Sequence, residues 1–423
     1  MTTCNEVPFE TGAGRRAPTG GVESNAVHDG DAPLRRPART TDADAGPRVG
    51  DEVTVPIGPV AHGGHWVARH DGRVIFVRGA LTGERVRVRI TAVAARHLFG
   101  DAVEVLEPAG ERVDPPCPIA ARCGGCDFQH VAPDHQAELK RRVVAEQLRR
   151  LAGFEWAGDV ESVPPLLGWR TRVRYHAGPE GWGMHPPRSH AVTPLPPQGC
   201  LIAGLGLGRP PAPPAPGVDQ VRGVSAADGV RWLLGDEDAV VRERADGHDY
   251  EVRGDGFWQV PPPPRAADTL VDAVLAGLRP RAGERAFDLY CGVGLFAGAL
   301  ARRGVRVTGV EGDRAAVALA RRNVPEARFH AGSVDRVLAR LPDRVDLVVL
   351  DPPRAGAGAR VLDAVLRRRP RAVAYVACDP AALGRDLGRA RAQGWRVAGV
   401  RAFDLFGMTH HVECVAVLEA GPA

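Results

Sequence analysis

The 423-residue sequence lacks the features that mark several classes of protein. No uninterrupted apolar run approaches the roughly 20 residues that a membrane-spanning helix needs, so no such helix is expected. No apolar segment follows Met1, and we therefore expect no secretory signal and a cytoplasmic protein. With 44% hydrophobic and 25% charged residues, the composition excludes a wholly disordered, collagenous or coiled-coil chain.

Lysine is almost absent, since Lys140 is the single lysine among the 55 lysines and arginines. This skew is typical of coding bias in a GC-rich genome. Arginine still has its own binding chemistry, because its guanidinium makes bidentate contacts to phosphate and stacks on bases. The formal net charge of +4 does not by itself indicate a nucleic-acid partner, because a local patch of charge matters more than the total.

The hydrophobic pattern divides the chain into four segments, as expected for a length above the roughly 250 to 300 residues of a single core. Residues 1–46 have no hydrophobic periodicity and predict a disordered tail. Residues 47–110 have short alternating runs between glycine turns and predict a small β-barrel. Residues 111–265 hold cysteines, a helix and β-like runs, which predicts a small α+β subdomain. Residues 266–423 alternate helical and strand patterns and form the last domain.

Two stretches of the sequence predict positively charged surfaces. Arginines alternate with aliphatic residues over residues 85–90, which in a strand gives one buried and one basic face. That basic face is either an ordinary solvated surface or a surface that binds RNA. A helix is predicted within residues 135–153, with a positive stripe opposite its apolar side. The stripe consists of Lys140, Arg141, Arg142, Arg149 and Arg150.

The last segment predicts a doubly wound, Rossmann-like α/β domain. Apolar strand cores such as residues 345–350 and 372–377, separated by helix-length patterns, are typical of a buried parallel sheet. Gly292 and Gly294 lie between a strand and a helix, and Glu311 follows the next strand, which is a nucleotide-binding arrangement. The glycines let the backbone approach a ligand, and the acid accepts hydrogen bonds from ribose hydroxyls. This pattern alone does not distinguish a dinucleotide from S-adenosylmethionine.

Further polar side chains follow strands of the same sheet, where ligands bind in such folds. The DPPR sequence at 351–354 resembles a motif of amino-group methyltransferases, but Arg354 stands where those enzymes carry an aromatic residue, and arginine suits a phosphate or a charge-bearing intermediate. Cys378 ends a strand, and Asp379 and Pro380 begin the next helix, so the thiol is favourably placed to ionise. The alternative for Cys378 is a small buried hydrophobic side chain.

Glu413 interrupts the final apolar strand. An isolated acid is costly to bury without a purpose or a partner. Carboxyl groups in such places often have a raised pKa, which suits the removal of a proton near neutral pH. The alternative is a structural ion pair with one of the many arginines.

Five motifs occur in an order that resembles the RNA uracil-5-methyltransferase family of class I S-adenosylmethionine enzymes. They are FWQV at 257–260, DLYCGVG at 288–294, DPPR at 351–354, CDP at 378–380 and HHVEC at 410–414. The resemblance covers roughly residues 48 to 419. As a set, these motifs are far more specific than a glycine turn alone.

The resemblance implies a covalent mechanism and the residues that carry it. Carbon C5 of uracil is a poor nucleophile, so the thiolate of Cys378 would add to C6 and let C5 attack the methyl group of S-adenosylmethionine. Glu413 would then remove the C5 proton. The residues implied to contact S-adenosylmethionine are Gln259, Tyr290, Gly292, Gly294, Glu311 and Asp351, and those implied to contact the RNA are Phe257, Gln259 and Arg354.

Four cysteines predict a metal site. Cys117, Cys123 and Cys126 have the spacing C-x5-C-x2-C, and Cys200 follows later. Zinc and iron–sulfur clusters both accept four cysteines, so the spacing alone does not choose between them. The ribosomal-RNA branch of the family carries this pattern as a [4Fe-4S] site, and the resemblance therefore implies a structural iron–sulfur cluster that holds an RNA-binding subdomain.

The predicted barrel resembles the TRAM domain of RNA-modifying enzymes, which is a barrel of the oligonucleotide-binding type. The resemblance implies that the barrel and the cysteine subdomain hold folded RNA while the target uridine is extruded into the catalytic pocket. It favours 23S ribosomal RNA as the substrate and leaves transfer RNA as the alternative. We expect a monomer with no membrane partner.

The sequence departs from the family pattern in two places. Ser333 stands where relatives often have an acidic residue beside the adenine, and four prolines follow residues 257–260 where relatives often have Asn. Rival interpretations are a methyltransferase for another base or a protein, a dehydrogenase, and an RNA-binding protein with a vestigial cofactor fold. Amine methylation and hydride transfer need no covalent thiolate, so these interpretations leave Cys378 without a role. A vestigial cofactor fold predicts decayed catalytic motifs, whereas these motifs are intact in the sequence.

Overall fold

The structure is a computed structural model that describes residues 46–259 and 265–421. Apart from Gly46, the predicted disordered tail lies outside the described residues, as do Val260 and the four prolines at 261–264. Among the described residues, no helix is long and apolar enough to cross a membrane.

The N-terminal strands close into a five-stranded barrel, which confirms the barrel prediction. The strands are β1 (Glu52–Ala61), β2 (His65–His70), β3 (Arg73–Arg78), β4 (Arg85–Val93) and β5 (His97–Glu107), and their order around the barrel is β1-β2-β3-β5-β4. Alternate side chains point inward because successive residues of a strand face opposite sides. The interior is filled by the buried side chains of Val55, Trp66, Ile75, Val77, Val86, Val88, Ile90 and Leu98.

The middle of the chain contains one long helix and a second sheet. Helix α1 (Pro133–Gln147) continues as a π-helical turn, Leu148–Ala152, and ends at Gly153 in the left-handed conformation. The short strand β6 (Val160–Ser162) follows. Five strands form an antiparallel sheet in the order β11-β10-β7-β8-β9, and two more form a separate hairpin. They are β7 (Arg172–Gly178), β8 (Gly181–Met184), β9 (Thr193–Pro194), β10 (Gln220–Ala226), β11 (Gly229–Leu234) and the hairpin strands β12 (Val240–Ala245) and β13 (His248–Arg253).

The predicted positive stripe on α1 is wrong at Lys140. The Lys140 side chain is fully buried, and its Nζ atom lies 2.5 Å from Asp404 Oδ1 and 3.1 Å from the carbonyl oxygen of Phe406. A buried ammonium group needs a carboxylate partner, and here that partner comes from 264 residues further along the chain. Arg141 and Arg142 do face outward, where both bond to Glu138.

The C-terminal part is the predicted doubly wound, Rossmann-like α/β domain. Its strands β14 to β18 are parallel, whereas β20 runs antiparallel between β18 and β19. The sheet order is β16-β15-β14-β17-β18-β20-β19-β6. Its strands are β14 (Arg285–Leu289), β15 (Arg306–Glu311), β16 (Arg328–Ala331), β17 (Leu347–Leu350), β18 (Ala372–Ala377), β19 (Trp395–Asp404) and β20 (Glu413–Ala420). Its helices are α2 (Arg265–Leu278), α3 (Leu295–Ala301), α4 (Arg314–Asn323), α5 (Val334–Leu338), α6 (Gly358–Arg367) and α7 (Pro380–Ala392).

Both faces of this sheet are covered. Along β17, Leu347 and Val349 belong to one apolar core, which includes α2, α3 and α4. Val348 and Leu350 belong to the other, which includes α1, α5, α6 and α7. A strand buried on both sides has a continuous apolar sequence, and this explains the pattern of residues 345–350. Strands β14, β15, β17 and β18 are parallel and adjacent, so the residues that follow them meet at one edge.

Candidate active site

The glycine turn after β14 lies against the acid that ends β15. The backbone N–H of Gly292 donates a 3.0 Å hydrogen bond to Glu311 Oε2. Gly292 and Gly294 have φ values of 52° and 94°, a region that glycine enters without strain. At Gly294, a side chain would also meet Val324 Cγ2 at 3.2 Å. The turn therefore leaves open backbone at the sheet edge, beside a carboxylate.

Asp351 and Gln259 lie at the same edge. Gln259 is buried, and its Nε2 atom lies 3.5 Å from Asp351 Oδ2. Removal from water, together with the nearby charge of Glu311, raises the pKa of Asp351 to about 7. The half-buried Tyr290, which directly precedes the turn with a φ of 64°, has its pKa raised to about 12 by burial. The structure thus brings the predicted cofactor-binding residues together at one edge of the sheet.

Cys378 and Glu413 are neighbours across two strands that are far apart in sequence. The last pair of the β18–β20 ladder is Ala377 with Cys414, and Cys378 and Glu413 are the residues next to that pair. The charges of both Glu413 and Cys378 act on the Cys414 thiol, which lies between them in the sheet. The predicted nucleophile and the predicted base therefore lie close together at the same end of two adjacent strands.

Glu413 is buried, with 4% of its surface exposed. Burial raises the pKa of its carboxyl group well above the usual value, and the charge of Asp351 raises the pKa further, whereas the Arg354 guanidinium opposes the shift. Within the described residues Glu413 has no ion-pair partner, so the alternative of a structural ion pair is not realised there. A carboxyl group with a raised pKa is a stronger proton acceptor once it ionises.

Cys378 lines a small cavity at the start of α7. Asp379 begins this helix: its Oδ1 atom accepts a 2.7 Å hydrogen bond from the N–H of Ala382. Its other carboxylate oxygen lies 3.0 Å from Nε2 of His62, in the β1–β2 turn of the barrel. The remaining lining residues include Pro352, Pro353 and Arg354 of the DPPR sequence. The barrel thus reaches the segment that carries the thiol.

A chain of polar side chains that sequence reasoning missed runs from Arg354 towards the cysteine segment. An Nη2 atom of Arg354 lies 3.2 Å from the Nδ1 atom of His411. The rings of His411 and His410 pack against each other at an interplanar angle of 48°, with centroids 4.1 Å apart, and His410 Nδ1 lies 2.6 Å from Asp127 Oδ2. The HHVEC motif contains both histidines, but nothing in the sequence points to Asp127, 283 residues away from His410.

Two further residues named in the sequence analysis, Phe257 and Ser333, lie outside the group of contacts described above. Phe257 is 73% exposed, next to the buried Gln259, and is free to meet a ligand that arrives from solvent. The Ser333 hydroxyl bonds to the carboxylate of Asp335, whose charge also acts on Tyr290. An acid therefore lies beside Ser333, two residues later than the family pattern leads one to expect.

The four cysteines of the predicted metal site line one cavity. Burial raises the pKa values of Cys117, Cys123 and Cys126, and each of these thiols is close enough to Cys200 to interact with it electrostatically. Arg78 of β3 donates hydrogen bonds of 2.9 and 3.1 Å to the carbonyl oxygens of Cys123 and Cys126. Even so, no group of three or more His, Cys, Asp or Glu side chains within residues 46–259 and 265–421 has positions suited to a metal ion.

The arginine face of the barrel is neutralised by acids of neighbouring strands. Arg87 of β4 pairs with Glu104 of β5 and, at 3.3 Å, with Glu52 of β1. Arg89 lies 2.8 Å from the same Glu52, and Arg85 lies 3.9 Å from Glu107. This favours the interpretation as an ordinary solvated surface, since paired arginines attract phosphate less.

Comparisons with known proteins agree with the fold. Family models match residues 47–103 (TRAM domain), 266–374 (methyltransferase small domain) and 340–421 (tRNA (uracil-5-)-methyltransferase). An uncharacterised RNA methyltransferase of Streptomyces avermitilis is 47% identical, over 88% of this chain and 99% of its own. The 23S rRNA (uracil(1939)-C(5))-methyltransferase RlmD of Thiobacillus denitrificans is 32% identical, over 85% of this chain and 97% of its own.

A solved structure has the same fold along most of the chain. The tRNA (uracil-54, C5)-methyltransferase of Pyrococcus abyssi, in complex with S-adenosyl-L-homocysteine, superposes with a TM-score of 0.65 and 24% identity. The match covers 86% of this chain and all of that structure. The similarity of 85% of this chain to the RlmD enzyme of Thiobacillus denitrificans, at 32% identity, establishes that the chain belongs to the RNA uracil-5-methyltransferase family.

Proposed function

We propose that this protein transfers a methyl group from S-adenosylmethionine to C5 of a uridine in RNA. The observation that carries the proposal is the pairing of β18 with β20, which brings Cys378 and Glu413 close together at the same end of two adjacent strands. A thiol nucleophile and a buried carboxyl group at one edge of the sheet suit carbon methylation through a covalent adduct. Methylation of an exocyclic amine would need neither.

The proposed reaction uses the two groups in sequence. The Cys378 thiolate adds to C6 of uracil, and the electron pair of the C5–C6 double bond moves to C5 as an enolate. That carbon attacks the sulfonium methyl group, and S-adenosylhomocysteine leaves. Glu413 then accepts the C5 proton, the C5–C6 double bond re-forms, and the thiolate departs from C6. Its raised pKa suits Glu413 to this proton transfer.

The other residues of the pocket bind and orient the two substrates. The open backbone at Gly292 and Gly294 is suited to the methionine part of S-adenosylmethionine, and Glu311 to its ribose hydroxyls. Gln259 and Asp351, whose side chains lie 3.5 Å apart, would contact the same cofactor together with Tyr290.

Three groups remain for the RNA. Arg354 borders the cavity that contains Cys378 and is suited to a phosphate or to the negative charge of the enolate. The exposed ring of Phe257 is suited to stacking on a base near the target. The amide of Gln259, whose Nε2 atom lies 3.5 Å from Asp351 Oδ2, would contact the uracil as well.

We propose 23S ribosomal RNA as the substrate, with transfer RNA as the alternative. The RlmD enzymes of Thiobacillus denitrificans and Pseudomonas putida, at 32% and 31% identity, support ribosomal RNA. The name of the family model that matches residues 340–421 refers to transfer RNA, but the match covers only the catalytic part. A cytoplasmic location and a monomeric state stay predictions.

We also propose that Cys117, Cys123, Cys126 and Cys200 hold a [4Fe-4S] cluster. Their chemistry fits, since all four line one cavity whose other lining residues are mostly apolar, and buried thiolates need a cation or cluster to offset the loss of water. A bound cluster would supply covalent cross-links between the loop at 117–126 and the later Cys200. Zinc accepts the same four ligands, and the iron and sulfide content of the protein distinguishes the two.

The activity is tested with anaerobically purified protein, S-adenosylmethionine labelled in its methyl group, and total RNA from a strain that lacks this gene. We expect label in 5-methyluridine from the wild type and at least about a thousandfold slower labelling by Cys378→Ala. The matched control is Cys414→Ala, which removes a buried thiol of the neighbouring strand and should retain activity. The absence of label from every RNA, with the wild type folded, would contradict the proposed function.

A further inference from the structure

A cluster of aromatic side chains covers one outer face of the barrel. We call His65, Phe76, His97 and Phe99 the aromatic platform. The ring of Phe76 lies 5.7 Å from that of Phe99 and 5.3 Å from that of His97, and His65 lies 5.8 Å from Phe99. All four rings are half-buried rather than enclosed in a core.

The strand register explains why these rings lie together. Phe76 of β3 is paired directly with Phe99 of β5, and their neighbours Ile75 and Leu98 point into the barrel core. Since successive side chains of a strand face opposite sides, Phe76 and Phe99 must point outward. The rings lie outside the barrel core and keep part of their surface exposed, so a ligand that arrives from solvent can contact them.

A cation from another part of the chain completes the platform. The guanidinium carbon of Arg188, in the segment between β8 and β9, lies 4.6 Å from the centroid of the Phe99 ring. Unlike the arginines of β4, Arg188 has no ion-pair partner within the part of the chain that the structure describes. Burial and the charge of Arg188 lower the pKa of His65 to about 4, so its ring is neutral near pH 7.

The platform lies beside the catalytic pocket. It begins at His65, three residues after the His62 side chain that contacts Asp379 next to Cys378. Between them, Gly64 approaches His410 so closely that a side chain there would meet it at 3.0 Å. A strand of RNA with one nucleotide in the catalytic pocket can therefore place a neighbouring nucleotide on this face.

We propose that the aromatic platform, with Arg188, binds an unpaired base of the RNA substrate close to the target uridine. Stacking on aromatic rings tolerates any base, and an unpaired guanidinium attracts the adjoining phosphate. The inference rests on the proposed function in that it takes the substrate to be RNA. It assigns RNA binding by the barrel to the aromatic face of β2, β3 and β5, rather than to the arginine face of β4.

The test is the affinity of the full-length protein for RNA, measured separately from methylation. The probe is a fluorescent single-stranded 12-nucleotide RNA containing a few 4-thiouridines, with binding followed by anisotropy. We expect Phe99→Ala to weaken binding by roughly ten- to a hundredfold, the effect of losing one stacked base. Phe99→Trp, which keeps a stacking face, should bind within about threefold of the wild type.

Val103→Ala is the matched control, because it removes an exposed apolar side chain from the same strand outside the platform. It should bind like the wild type, and thermal unfolding should show that all variants are folded. Irradiation of the bound 4-thiouridine RNA should cross-link it to peptides that contain Phe76 or Phe99. Equal affinity of Phe99→Ala and the wild type, or cross-links confined to the arginine face, would overturn the proposal. The aromatic platform would then bind another partner, such as a protein.

Failure of the platform and failure of the proposed function give different results. If the wild type binds and methylates RNA but Phe99→Ala does so with unchanged affinity and KM, only the platform assignment is wrong. If the wild type forms no 5-methyluridine while Phe99→Ala still weakens binding, the platform stands and the proposed activity fails. If both hold, Phe99→Ala should raise the KM for RNA with little change in kcat.

Discussion

The sheet edge and the cysteine cavity both collect cysteine side chains, but in opposite surroundings. At the sheet edge, Cys378 stands at the start of a helix, next to a carboxyl group and a guanidinium. In the cavity, Cys123 and Cys126 are buried among apolar residues and burial raises their pKa values. The first setting supports a reactive thiolate, whereas the second suits a thiolate only when a metal compensates its charge. The role of a cysteine in this protein is therefore set by its surroundings in the fold and not by its residue type alone.

The largest effect is expected from Glu413→Gln, which changes the sheet edge alone. The amide keeps the shape of the carboxyl group but does not accept the C5 proton, so turnover should fall by about 10² to 10⁴-fold. The methylated adduct between Cys378 and the RNA should then accumulate as a complex that survives denaturing electrophoresis. The iron content should remain that of the wild type. A loss of iron would show that the sheet edge and the cysteine cavity are not independent of each other.

The activity of the wild type should also depend on pH through Glu413. The carboxyl group accepts a proton only when ionised, and its pKa is raised well above the usual value by burial. Proton removal should therefore slow as the pH falls through that raised pKa and level off above it. The measurement is the rate of tritium release from C5-labelled uridine RNA at a series of pH values, and a flat profile would argue against Glu413 as the base.

The cysteine cavity is tested by Cys123→Ser, with Cys291→Ser as the control. Cys291 is a buried thiol outside the cavity, so its replacement should leave metal binding intact. Cys123→Ser should lose most of the iron and acid-labile sulfide of the anaerobically purified protein, because one of four ligands is removed. Wild-type protein that contains zinc, or neither metal nor sulfide, would contradict the cluster.

A smaller effect is expected from Lys140→Met, which breaks a link between the two regions. Lys140 in α1 holds Asp404, at the end of the strand that precedes the HHVEC segment. Removal of one partner leaves a buried charge and should lower the free energy of unfolding by about 3 to 5 kcal/mol. Replacing both residues, as Lys140→Met with Asp404→Leu, should recover much of that loss in urea unfolding. Equal stability of the two variants would show that the pair is not coupled.

The smallest effect is expected from Arg87→Ala on the arginine face. Since Arg87 is paired with Glu52 and Glu104, its loss should change RNA affinity by less than about threefold. The dependence of affinity on salt should also stay unchanged, whereas loss of a phosphate contact would lower its slope by about 1. A lower slope would show that the arginine face of β4 contacts RNA phosphates, as the sequence first suggests.

The sequence predicts the sheet edge better than it predicts the surfaces. Gly292, Glu311, Asp351 and Cys378 each lie at or just after the end of a strand of a parallel sheet, and such strand ends must meet at one edge. The position of Glu413 beside Cys378 is less accessible, because it depends on the antiparallel insertion of β20 next to β18.

Surface charge is harder to read because it depends on distant partners. Lys140 has the spacing of an exposed stripe, yet its side chain is buried against Asp404, which lies 264 residues later in the sequence. Arg87 alternates as a basic face should, but Glu52 and Glu104 lie on strands whose neighbours the sequence does not reveal. The platform was missed for the same reason, since its rings come from three strands and Arg188 from a fourth segment.

The strand β6 has a consequence for how this chain can be divided. Although it precedes the catalytic domain by about a hundred residues, Val160–Ser162 pairs with β19 and completes the sheet. Helix α1 packs on α7 beside it. A fragment beginning at residue 266 would uncover the edge of β19 and the apolar side of α7, and exposed strand edges recruit further copies of the chain. Such a fragment should aggregate when expressed alone, so the catalytic domain is better isolated with residues 133–162 attached.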